Sequence, residues 1–229
     1  MILTIHQPEH MVWLGLLDKI SKADVFVALD TVQFRKNYFQ NRNKIRTDQG
    51  EQWMTVPLVK CSSSTLIQNI RIAYGTGWTT KYLNKIRESY RDSTYFNDYY
   101  PELENIFLEK YEFLSELNIE LIIRFMQWFQ IKTEVIIASS MGLEAVKGGT
   151  EVNFQICNAV DADCYLSGPF GKKYLDLTRF REGGIEVVFH EFQQPEYKQQ
   201  YIPFIPYMSS IDLLFNYGPE ARNIFLNRK

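Results

Sequence analysis

At 229 residues and 27.0 kDa, with 45% hydrophobic side chains, the chain carries enough apolar material for a full core, which excludes a disordered or fibrous protein. Its 25 Lys and Arg against 27 Asp and Glu give a formal net charge of -2 and a pI near 6.0, so no global field draws it onto nucleic acid or an anionic membrane. Three cysteines, Cys61, Cys157 and Cys164, form no CxxC pair and leave one over, which argues against a disulfide framework and against sulfur-bound zinc and for a reducing compartment.

The start, MILTIHQPEH, has neither a basic region nor a sustained apolar one, and no stretch reaches the roughly 20 apolar residues of a bilayer span. The expectation is a cytoplasmic protein with no membrane insertion. Residues 2–5 form a β-prone run that breaks at His6-Gln7-Pro8. Trp13, Leu16, Leu17, Ile20 and Ala23 recur at helical spacing, and Val25-Phe26-Val27-Ala28-Leu29 is a continuous apolar segment ending at Asp30. A strand, loop, helix and strand within about 30 residues predict a right-handed crossover between parallel strands. That places the loop 6–12 and Asp30 together at the carboxyl edge of a sheet.

Residues 31–47 read as a basic, aromatic stretch, with Arg35, Lys36, Arg42, Lys44 and Arg46 and no acid among them. A strand is expected over 53–59, cut short by Pro57, and a short one over 67–72. From 78 to 130 apolar residues fall three and four apart, which predicts helices near 79–92, from Pro101 to about 116, and over 118–130. A strand follows at 134–138, then a helix capped by Thr150, a strand at 164–166 and a loop, Ser167-Gly168-Pro169-Phe170-Gly171-Lys172-Lys173. Gly183-Gly184 closes a helix before a last strand over 185–189, and two helices end the chain. The fold expected is α/β. A mostly parallel sheet of about five strands is flanked by helices in a Rossmann-like three-layer arrangement, as a single domain over 1–229 with a helical insertion near 78–130.

Chemistry concentrates in three places. His6 and His10 flank Glu9 at a strand-to-helix junction, where imidazoles suit acid–base work or phosphate contact; metal binding would need a third ligand that the sequence does not identify. Asp30 is followed by Gln33, Arg35, Lys36, Asn41, Arg42, Asn43 and Lys44, a mixture of cations and amides suited to phosphate or carboxylate, with rings suited to base or sugar stacking. Ser167, Gly168 and Lys172 offer backbone amides and a cation, without the spacing of a phosphate loop or a dinucleotide fingerprint. Ser209 and Asp212 read as a capping pair before an apolar helix, and His190 as a strand-end side chain with no partner assigned.

Gln7-Pro8-Glu9-His10, Trp13-Leu14-Gly15, Val32-Gln33-Phe34, Asn41-Arg42-Asn43, Trp53-Met54-Thr55-Val56-Pro57, Tyr165-Leu166-Ser167-Gly168 and Ser209-Ser210-Ile211-Asp212-Leu213-Leu214-Phe215-Asn216-Tyr217-Gly218 together resemble the WbqC-like family over nearly the whole chain. His10 stands where that family commonly has an aromatic residue, and Val12 where it has proline. The resemblance implies a bacterial protein of surface-polysaccharide or O-antigen assembly. The leading expectation is a transferase, of acyl, aminoacyl or nucleotidyl type, acting on a nucleotide-linked sugar or other phosphorylated small molecule. Arg35, Lys36, Arg42 and Lys44 would neutralise the anion, His6 or Asp30 would handle a proton, and Gln33, Asn41 and Asn43 would orient hydroxyls. No cofactor is indicated. The alternatives are a non-catalytic ligand-binding or scaffold protein of the same pathway, whose Tyr and Phe form a homo-oligomer or partner surface, and an RNA binder, which the acidic balance of the chain argues against.

Overall fold

The computed structural model describes residues 1–75 and 77–226. Five short apolar runs form one parallel sheet: β1 (Ile2–His6), β2 (Val25–Ala28), β5 (Glu134–Ile137), β6 (Cys164–Ser167) and β7 (Glu186–Phe189). Their spatial order is β5-β2-β1-β6-β7. The register aligns Leu3 with Val25 and with Tyr165. The chain therefore winds outward from β1 in one direction and then, from β6, in the other, so the order reverses between β1 and β6. In a doubly wound sheet that reversal opens a crevice at the carboxyl ends of the two strands.

Alternating side chains of the sheet feed two cores. Val25 and Val27 pack with Leu3, Ile5 and Tyr165 against Phe154, Ile156 and Phe180, from α5 (Gly149–Ala159) and α6 (Leu177–Glu182). Phe26 and Ala28 face the opposite way, onto Leu16, Leu17 and Ile20 of α1 (Leu14–Ser21). That second core continues without a break into α2 (Trp78–Tyr90), α3 (Phe96–Leu108) and α4 (Leu114–Trp128), then into α7 (Ile211–Tyr217) and α8 (Ala221–Leu226). Helices thus cover both faces, an α/β three-layer fold, with the helical block of 78–130 on the α1 side. Among the described residues no helix is long and apolar enough to cross a membrane.

Several local expectations are corrected. Part of the basic stretch is a strand: β3 (Arg42–Thr47) pairs antiparallel with β4 (Gly50–Thr55), Arg42 opposite Thr55 and Thr47 opposite Gly50. Residues 67–69 form a single 3-10 turn rather than a strand, followed by isolated bridges from Arg71 to Phe113 and from Ile72 to Leu58. Helix α3 starts at Phe96, so Pro101 lies within it and not in its first turn. Helix α5 starts at Gly149, and the Thr150 hydroxyl is used elsewhere, donating to the Tyr174 carbonyl at 3.2 Å and accepting from the Asp176 amide at 3.1 Å. Asp212 caps nothing. Its buried carboxylate accepts from Tyr90 of α2 at 3.0 Å and from Tyr197 at 2.8 Å and Gln199 at 2.8 Å in the segment before α7.

Candidate active site

The loops after β1 and β6 meet where the strand order reverses, at a cleft of about 730 Å³. One wall carries His6, Gln7 and Glu9 from the β1 loop, and another Ser167, Gly168 and Gly171 from the β6 loop. Close packing dictates the second wall: a Cβ on Gly171 would lie 2.2 Å from the Ser167 Oγ, so only glycine lets the turn fold back on the strand end. Arg35 and Lys172 stand at the cleft as exposed cations. Aromatic rings form much of the remaining lining, including Trp13, Tyr38, Phe39, Phe170 and Tyr207.

At the floor, two adjacent residues of α1 each brace one histidine. Lys19, 3% exposed, donates through Nζ to the Ile5 carbonyl at 2.9 Å and lies 3.1 Å from His6 Nδ1. Asp18, 4% exposed, accepts from His190 Nε2 at 2.7 Å and from Lys22 at 2.6 Å. Burial lowers the Lys19 ammonium to about 7, against the opposing pull of Glu9. His6 is held below its ordinary range, first by desolvation and then by the Lys19 charge, with Glu9 acting the other way. Burial alone would raise Asp18, but the bonds from His190 and Lys22 outweigh it and hold the carboxyl below its usual range. With a lysine amine donating to Nδ1, His6 carries its proton on Nε2 and donates it to Glu9 Oε1 at 3.1 Å. Glu9 is buried, and its second oxygen, Oε2, has no partner.

A clamp of amides positions the segment carrying Arg35. Gln40, fully buried, donates to the Gln7 Oε1 and accepts the Arg35 backbone N–H at 2.7 Å. From α4, Asn118 donates to the carbonyls of Pro8 at 3.0 Å and Gln40 at 2.7 Å, tying both loops to the helical block. Residues 35–39 are thereby brought against the β1 loop.

Other expected site residues lie away from the cleft. His10 is sealed in the core, bonded to Asn118 at 3.0 Å and Tyr82 at 2.8 Å, and burial lowers it to about 4. It is a neutral packing group with both nitrogens used. Asp30 accepts from the backbone and hydroxyl of Ser139, at 2.9 and 2.6 Å, and so fixes the turn after β5. Gln33 sits on an isolated bridge to Leu66, and Lys36 is exposed without touching the cleft lining. Asn41 donates to the Val56 carbonyl, while Asn43 donates to those of His10 and Met11 and so supports the positive φ of Met11. Arg42 lies over the Trp53 ring at 4.3 Å, and Lys44 pairs with Glu51 at 2.6 Å. The basic stretch is therefore spent largely on its own hairpin.

Sequence reading missed Lys19, Asp18 and the pairing of His190. Lys19 and Asp18 look like the wet face of an amphipathic helix, but α1 is buried on all sides from Leu14 to Ile20. The available signal was the shortness of a helix caught between two apolar strands. Among the described residues no group of three or more His, Cys, Asp or Glu could hold a metal ion.

A family model described as "WbqC-like protein family" matches residues 7–224. The chain is similar to the uncharacterized protein Rv1507c of Mycobacterium tuberculosis, 34% identical over 220 residues, which is 95% of this chain and 94% of that protein. No solved structure matches. The cleft-lining residues from Gln7 to Tyr207 fall within the matched span, with Ile5 and His6 just before it, and the chain belongs to the WbqC-like protein family.

Proposed function

We propose that the cleft binds a nucleotide-linked sugar, or another phosphorylated small molecule, and that the protein transfers a group between it and an acceptor, in cytoplasmic steps of surface-polysaccharide assembly. The observation that carries this reading is the meeting of two cations, Arg35 and Lys172, with two carboxylate-held histidines, His6 and His190, in one aromatic-walled crevice at the strand reversal. Guanidinium and ammonium groups meet phosphate charge, rings offer faces for a base or sugar, and the histidine–carboxylate pairs handle protons. The backbone of Gly168 and Gly171 adds close approach for an anion. The polysaccharide setting is what the resemblance to the WbqC-like family implies.

The test is thermal denaturation with a panel of nucleoside diphosphate and monophosphate sugars. A true ligand at about 100 times its Kd adds about 2.7 kcal/mol, a rise of about 5 °C or more for a chain of this size. Arg35→Ala with Lys172→Ala should remove that shift while leaving the unliganded Tm in place, since both side chains are exposed. A panel that leaves wild-type Tm unchanged throughout defeats the reading.

A further inference from the structure

We propose that Glu9 Oε2 is the atom that takes the proton of the acceptor, that the acceptor group is a neutral hydroxyl, and that His6 and Lys19 are positioning residues acting through Glu9; this rests on the transfer reading above. Glu9 has 4% exposure and faces the cleft, yet only one of its oxygens is satisfied. Leaving a buried acceptor unpaired costs about 1–3 kcal/mol, and more for a charged group. Such a group is retained where a ligand completes it.

The bonding around it leaves His6 with no nitrogen for substrate. Its Nδ1 faces Lys19 and its Nε2 is given to Glu9 Oε1. The chain from Lys19 through His6 to Glu9 therefore ends on Oε2, and any hydrogen-bond donor placed there meets a carboxylate already oriented from behind. A hydroxyl fits this place better than an ammonium group, because Lys19 and Arg35 already supply positive charge at the cleft.

The step balances within the cleft. The acceptor O–H proton moves to Oε2, and the pair of that O–H bond forms the new bond to the electrophilic atom of the donor. The bond from that atom to the leaving phosphate oxygen breaks with its pair on the phosphate, where Arg35 and Lys172 meet the charge. Glu9 returns its proton to solvent as the product leaves.

Glu9→Gln tests the assignment, since the amide oxygen still accepts from His6. Expected are an unchanged Tm shift with the donor sugar and a kcat lower by about 100-fold or more. Lys19→Met, which loosens the brace behind Glu9, should lower kcat while leaving the KM for the donor in place. Turnover of Glu9→Gln within about threefold of wild type overturns the proposal. A second measurement holds even if no nucleotide sugar binds: the ¹³C carboxyl resonance of Glu9, identified by its absence in Glu9→Gln, is followed as neutral and amino sugars are added. Movement with a neutral sugar supports the proposal, and movement only with a protonated amino sugar, or with none, overturns it.

Discussion

Asp212 and Glu9 are both nearly sealed from solvent, at 0% and 4% exposure, but the chain treats them in opposite ways. Asp212 is saturated by Tyr90, Tyr197 and Gln199, and joins α2 and the segment before α7 to that helix. Burial still pushes its carboxyl up, with those three bonds and the charge of Arg46 pulling against the shift. Glu9, which lines the cleft, has a donor on Oε1 and none on its buried Oε2. A buried carboxylate with donors on both oxygens is architecture, whereas one left half-finished beside an opening is a place for something else to bind.

The contrast is broken most severely at Asp212. Asp212→Ala strands three buried donors, and urea unfolding should show a loss of about 3–5 kcal/mol. Glu9→Gln, by comparison, should stay within about 1 kcal/mol of wild type; a loss as large as that of Asp212→Ala would make Glu9 architecture too. Asn118→Ala comes next, at roughly 2–3 kcal/mol, because the Pro8 and Gln40 carbonyls lose their donor together. It should also weaken ligand-induced stabilisation, since the same two loops shape the cleft.

Lys19 sharpens the comparison through pH. Its folded value near 7 lies below the free amine's 10.5, so between these limits the unfolded chain holds the extra proton and stability climbs with pH. The slope is at most about 1.4 kcal/mol per pH unit. Denaturation at pH 7, 8 and 9 should show it in wild type and not in Lys19→Met. The smallest effect is expected at Trp53→Ala, about 0.5–1 kcal/mol, because the ring under Arg42 and Lys44 is 40% exposed. Ligand response should be untouched, separating the hairpin's cations from those of the cleft.

The sheet was legible because its parallel strands other than β5 are short apolar runs bounded by Pro, Asp or Gly, and because helical spacing between 13 and 23 forces a crossover. The loops at the carboxyl edge followed from that geometry alone. The hairpin was not legible: in β3 the inward positions are filled by Asn43 and Ile45 and then by Arg46 and Thr47, so the alternation is masked by polar residues that find partners only in the folded chain. His10 and Asp30 misled for a related reason. Both are polar groups in a loop that follows a strand, as a site requires, and what separates them from Glu9 is whether Asn118, Tyr82 or Ser139 arrives from more than 70 positions away to satisfy them. Pattern within a window carries no record of that arrival.

Asp18 and Lys19 being consecutive on α1 has a consequence for how much this helix can drift. Each step along a helix turns the side chain by about 100°, so removing one residue between Leu14 and Leu17 would swing both supports away and release His6 and His190 in the same stroke. The spacing from the end of β1 to this pair is therefore a ruler. Loops elsewhere in the molecule can lengthen or shorten between relatives, but along this interval an insertion or a deletion would uncouple two strands from their shared brace.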